Sequence, residues 1–232
     1  ARAGGESMSL RRINPVAQSA ALDTFASPHF MAFTEALSKS LMQSSMARDY
    51  PDLVALGYWL RPANIKRIVS AYQPLQLRPV GHVFHAAPGN VDSLFVYAGI
   101  ISLMCGNINT IRLSNKAGGS AELLCDIIQS LSQAHPEVTA RFQLVRSERD
   151  SAELMALQQH IDARVLWGSN EGIQALRQIP MPAHARELVF AHKLSFAVLG
   201  IEAVLHVDEN ELNQLCESFA RDNLTFAQQA CS

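Results

Sequence analysis

Near the end of the sequence, Phe226–Ser232 reads FAQQACS and carries Cys231 one residue from the last position. A thiol on a polar loop after a helix has the access that a nucleophile needs. Its chemistry depends on donors or positive charge nearby that favour the thiolate. A second set of residues is Pro88-Gly89-Asn90 at the end of a β-rich run. The Asn90 amide carries two N–H donors and can hold a developing oxyanion, or it can cap the helix that follows. A third is GNINTIRLS, residues 106–114, in which Arg112 and Ser114 close a strand-like run. A guanidinium there suits a ribose or a bidentate phosphate contact, and it equally suits a solvated strand end. A fourth is WGSNEG, residues 167–172, where Gly168 and Ser169 turn a strand into a helix. Backbone N–H groups at such a turn can receive a pyrophosphate, although no GxGxxG occurs in the chain.

These residues need a scaffold, and the rhythm of the sequence supplies one. From Asn14 to about Tyr72 apolar residues recur at helical spacing, as in Phe30, Phe33, Leu37 and Leu41, with Pro51 and Pro62 as punctuation. β-rich runs and helical stretches then alternate. VGHVFHAA, INTIRL, RFQLVR, ARVLW, ELVF and SFAVLG read as strands, and a last helix spans Asp208 to Asp222. His82 and His85 are read as sharing one strand face and as needing no function. The alternation implies right-handed βαβ units, a mostly parallel sheet and ligands at the carboxyl ends of its strands. The fold class is α/β with a helical N-terminal segment.

Composition excludes several functions. Nineteen Lys and Arg against 21 Asp and Glu, net charge −2, leave no electrostatic footprint for nucleic acid and no polybasic membrane anchor. The most apolar run, Val91 to Met104, is interrupted by Asp92, Ser93 and Ser102 and is too short for a membrane span. The four cysteines, Cys105, Cys125, Cys216 and Cys231, form no CxxC pair and no Cys/His metal spacing. They point to reduced thiols in a cytoplasmic protein without a metal site, with Cys105 and Cys125 as core filler.

Taken in order, PGN, GN-x4-R-x-S, WGSNEG, FAHKLS and Q-x-CS resemble the aldehyde dehydrogenase superfamily. The closer resemblance is to the LuxC-type acyl-CoA reductases, which make long-chain aldehyde in bacterial bioluminescence. It runs from about Ala32 to the last residue. It implies an aldehyde-dehydrogenase-like, Rossmann-type domain that binds a nicotinamide cofactor, NADPH or alternatively NADH. It assigns Cys231 as nucleophile and Asn90 as oxyanion donor. Arg112, with Ser114 nearby, falls at the adenosine ribose, and Gly168 and Ser169 at the pyrophosphate. The expected division is a helical segment 1–75, a cofactor domain 76–214 and, from 215, the start of a catalytic domain that is largely absent. The 232 residues alone are therefore expected to bind cofactor weakly and to show little or no activity. The implied partners are an acyl-CoA or acyl-thioester substrate, an acyl-protein synthetase or transferase, and further copies of the full-length chain.

The superfamily's hydrolytic members keep a glutamate four residues before the lysine that matches Lys193, and this chain has Val189 there. Without that base an acyl-enzyme is poorly hydrolysed, which favours exchange with coenzyme A, or reduction. His192 departs from the acidic residue expected in the LuxC pattern. Two other readings stay open: a CoA-acylating aldehyde dehydrogenase using NAD on a short aldehyde, and a non-catalytic nucleotide-binding or assembly fragment.

Overall fold

The computed structural model describes residues 11–13, 20–73, 75–87, 92–113, 118–147, 151–193 and 196–224. Two compact units divide the chain, residues 1–191 and 192–232.

Prolines start the helices of the N-terminal segment. Pro28, Pro51 and Pro62 each occupy the first turn of α1 (Pro28–Gln43), α2 (Pro51–Trp59) and α3 (Pro62–Tyr72). A fixed φ suits that position, and the missing N–H would have had no partner there. Ser27 caps α1, its hydroxyl accepting from Phe30 N at 3.2 Å. Phe30, Phe33, Leu37 and Leu41 form the buried stripe that their spacing predicts.

The sheet has six strands: β1 (Arg11–Arg12), β2 (His82–Ala86), β3 (Ile108–Leu113), β4 (Phe142–Arg146), β5 (Ala163–Gly168) and β6 (Arg186–Ala191). Their spatial order is β1-β4-β3-β2-β5-β6. β2 to β6 run parallel, and β1 pairs antiparallel with β4 at one edge. The first parallel strand made, β2, thus lies between its successor β3 and the later β5. This is the doubly wound order, with its topological switch point between β2 and β5.

Each face of the sheet has its own core. On one face Ile111, Leu113, Phe142 and Leu144 pack with α1 to α3, with α4 (Leu94–Met104) and with α5 (Gly119–Ser130). On the other, Phe84, Ala86 and Leu166 pack with α7 (Ala152–Gln158) and α8 (Asn170–Arg177). A short helix, α6 (Pro136–Thr139), leads into β4. Close approach of α4 to the sheet depends on Gly99. A Cβ added there would collide with the Phe142 ring and lie 2.7 Å from Ile111 Cδ1. After α4 the chain turns through Gly106 at φ +84°, a left-handed conformation suited to glycine, and its carbonyl accepts from Asp23 N at 3.0 Å.

In the second unit, α9 (Ile201–Leu205) precedes α10 (Glu209–Leu224). α10 opens on a reciprocal cap: Asp208 Oδ1 accepts from Glu211 N at 2.8 Å, and Glu211 Oε2 accepts from Asp208 N at 3.2 Å. No residue of α10 is buried.

Two sequence expectations are corrected. SFAVLG is not a strand: its described residues, 196–200, have no regular structure, and a helix follows from Ile201. β-branched and aromatic content favours a strand only where neighbours pair with it. His82 and His85 lie on opposite faces of β2, because three residues is an odd interval on a strand whose side chains alternate. His82 Nε2 meets Thr110 Oγ1 at 2.8 Å, and His85 Nε2 meets Asn109 Oδ1 at 2.9 Å.

Candidate functional site at the switch point

β5 ends in Trp167 and Gly168, and Ser169 opens α8. Gly168 has φ +151°, a conformation that residues with side chains rarely adopt. A Cβ added to it would meet no atom of the described residues within 4 Å, so among these the backbone is open to a ligand. Ser169 caps the helix, its Oγ accepting from Gly172 N at 3.1 Å. The strand-to-helix turn therefore presents exposed backbone and a helix N-terminus beside the switch point, an arrangement suited to a phosphate group. Glu171 is an exposed carboxylate in the same turn, so side-chain charge does not favour an anion there. The backbone N–H groups would have to carry the contact.

α8 is held at its other end. Arg164, on β5, is buried. Its Nη1 donates to the carbonyls of Leu176 at 3.3 Å and Ile179 at 3.0 Å, at the C-terminal end of α8. Its Nε donates to Glu187 Oε2 at 2.7 Å, and Arg177 pairs with the same carboxylate. Burial alone would raise the Glu187 pKa, but the hydrogen bonds from Arg177 and Arg164 outweigh it and hold the carboxyl below its usual range. A guanidinium at the negative end of the helix dipole thus fixes α8 against the strand it follows.

Arg112 stands opposite Ala86 of β2 and Val145 of β4. It is buried, and its Nε donates to Ser147 O at 3.0 Å. Its position near the carboxyl end of β3 is where a doubly wound sheet meets the adenosine ribose of a dinucleotide. An acid at that strand end would bind a ribose hydroxyl, whereas a guanidinium in general suits a phosphate. Arg112, Gly168 and Ser169 therefore all lie at the carboxyl edge of the sheet, two strands apart. Asn90, Ser114 and Cys231 lie outside the described residues.

The opposite face of β2 carries polar groups that sequence reading set aside. Asn109 Nδ2 donates to Asn107 O at 3.1 Å and Arg141 O at 3.3 Å, leaving Oδ1 to accept from His85. His85 therefore carries its proton on Nε2, and its buried Nδ1 has no partner among the described residues. Burial lowers its pKa to about 4, so the ring is neutral at neutral pH. Burial raises the pKa of the Cys105 thiol and pushes that of Cys125 up to about 12, which leaves both unsuited to nucleophilic work. Among the described residues no group of three His, Cys, Asp or Glu side chains could hold a metal ion. No described helix is long and apolar enough to cross a membrane.

The doubly wound sheet with a helix-covered switch point is the scaffold of the aldehyde dehydrogenases. An aldehyde dehydrogenase from Bartonella henselae superposes with a TM-score of 0.61 at 16% identity, covering 89% of this chain and 47% of that one. Aldehyde dehydrogenase C from Pseudomonas syringae, a C291A mutant complexed with NAD+ and octanal, gives 0.55 at 14% identity, covering 90% and 46%. A putative aldehyde dehydrogenase from Burkholderia cenocepacia gives 0.53 at 17% identity, covering 72% and 40%. The chain thus spans about half the length of the first of these structures. No curated protein matches it in sequence. The profile of the acyl-CoA reductase (LuxC) family matches residues 5–232, and the chain belongs to that family.

Proposed function

We propose that the intact protein reduces an acyl-CoA, or another long-chain acyl thioester, to the aldehyde with NADPH, through an acyl-enzyme on Cys231. The observation that carries this reading is the family match across residues 5–232, which includes FAQQACS. The Cys231 thiolate attacks the thioester carbonyl carbon, forming a new C–S bond and moving charge to the oxygen. The Asn90 amide donates to that oxyanion. Collapse breaks the bond to coenzyme A, which leaves as a thiolate, and the acyl group remains on Cys231 as a thioester.

A bound reduced nicotinamide would supply the hydride to the acyl carbon, after which the C–S bond breaks, releasing the aldehyde and restoring the Cys231 thiolate. The residues of this chain fit such a cofactor. Among the described residues, Gly168 leaves open space where a side chain would stand, Ser169 starts a helix at the switch point, and Arg112 stands near the carboxyl end of β3. Gly168 and Ser169 would hold the pyrophosphate, and Arg112, with Ser114, the adenosine ribose. The NAD+ bound to the Pseudomonas syringae enzyme, a protein of the same fold, is consistent with this chemistry.

Val189 supports reduction or exchange over hydrolysis. It lies on β6 opposite Leu166 and packs against the apolar cluster to which Leu166 belongs. An isopropyl group cannot take a proton from water, so the thioester on Cys231 is spared a hydrolytic base from this position. In the full-length enzyme, Cys231→Ala should abolish covalent labelling by radiolabelled acyl-CoA. Labelling that persists at the wild-type level would remove Cys231 as the nucleophile.

A further inference from the structure

We propose that Arg12, on the antiparallel edge strand β1, is a specificity-determining residue that binds the 2′-phosphate of the adenosine ribose. This rests on the NADPH reading above and adds to it a residue 100 positions from Arg112 in sequence. The register of three strands carries the inference. Arg12 pairs with Val145 of β4, and Val145 pairs with Arg112 of β3. The three residues therefore form one row across the sheet, and residues directly opposite one another project from the same face. The Arg12 side chain is on that face, because its Nη1 lies 3.5 Å from Oε1 of Gln143, two residues before Val145. Two strand spacings, about 10 Å, separate the backbones of Arg12 and Arg112. The exposed Arg12 side chain is therefore long enough to reach a dianion seated beyond the end of β3.

The placement fits the course of a dinucleotide along the carboxyl edge. With its pyrophosphate at Gly168 and Ser169 and its ribose at the end of β3, a 2′-substituent continues outward over β4. The other arginines of that edge are less suited. Arg146 pairs with the Glu122 carboxylate. Arg11 pairs with Arg146 in the register and so projects from the opposite face. Arg12 is exposed, and the oxygen of Gln143 at 3.5 Å is neutral. A phosphate offers its guanidinium a charge-assisted contact in place of that long one.

Arg11 serves as an internal control, with the same charge one residue away and the opposite orientation. The test is isothermal titration of the intact protein with 2′,5′-ADP, which carries the 2′-phosphate, and with 5′-AMP, which lacks it. The wild type should prefer 2′,5′-ADP. Arg12→Ala should weaken 2′,5′-ADP by about tenfold, the scale of one hydrogen bond to a charged group, and leave 5′-AMP unchanged. Arg12→Lys should recover part of the loss, and Arg11→Ala should behave as wild type. Equal losses in Arg11→Ala and Arg12→Ala would reduce the effect to general surface charge and overturn the assignment. So would a wild type that binds the two nucleotides equally, or an Arg12→Ala variant that keeps the wild-type preference. If the wild type binds neither nucleotide, the cofactor reading itself fails and this inference falls with it.

Discussion

His85 is a titratable group inside an apolar layer, and its environment makes a testable statement about acid stability. In the unfolded chain an imidazole takes a proton near pH 6.5, whereas burial delays this to about 4 in the folded protein, even with the opposing hydrogen bond to Asn109. Between those pH values the unfolded state binds more protons, so stability falls as pH drops through the window and levels off below it. The full effect is about 3 kcal/mol. His85→Gln can keep a donor toward Asn109 but cannot titrate. Urea unfolding at pH 7, 6 and 5 should give a shallower loss of stability for this variant than for wild type. Parallel losses would show that His85 is not the group responsible. The reading of His82 and His85 as face-sharing missed this asymmetry, although the strand period alone separates them.

At the scale of elements, the seating of α4 on the sheet is the most exacting contact. Gly99→Ala should destabilise the protein by about 1–3 kcal/mol, because the added methyl group meets the Phe142 ring and Ile111. Phe142→Leu removes the ring edge that blocks it. A double-mutant cycle by chemical denaturation should therefore show favourable coupling of about 0.5–3 kcal/mol between the two changes. Additive losses would mean that the helix shifts instead of pressing on the ring. Elements whose own residues encode them were legible from sequence. INTIRL is β3 from its first residue to its last, and the Gly168-Ser169 turn stands where the glycine and the capping serine place it. β1 was not legible. It is two arginines long, without an apolar pattern, and becomes a strand only because β4 offers an open edge 131 residues further on, as the Arg12–Gln143 contact records. The same long-range pairing hides Arg12 as a candidate: strand register brings it into the row with Val145 and Arg112. SFAVLG shows the converse, a sequence rich in strand-forming residues that acquires no partner strand.

At the scale of the whole molecule, the two faces of the sheet are unequally covered. On the face that carries His85, the residues over β5 and β6 include Leu188 at 60% and Phe190 at 45% exposure, with Phe190 stacked on Trp167 at 3.9 Å between ring centroids. Apolar surface of this kind binds small aromatic dyes. The 232-residue chain should therefore enhance the fluorescence of 8-anilinonaphthalene-1-sulfonate while keeping its native circular dichroism. The Leu188→Thr, Phe190→Thr double variant should lower that signal, and an unchanged signal would place the dye elsewhere.

The central position of β2 also sets a timetable for the growing polypeptide. β2 emerges early from the ribosome and soon has β3 beside it, but its other edge waits for β5, as the 80-residue separation of His82 and Asp162 indicates. At usual synthesis speeds of about 5–20 residues per second, that wait lasts roughly 4–16 s. Throughout it, the backbone of Val83 to Ala86 offers unpaired hydrogen-bonding groups along an apolar strand, a template for the wrong partner. The strand on which the whole sheet is centred is thus the one that a nascent-chain chaperone has most reason to shield.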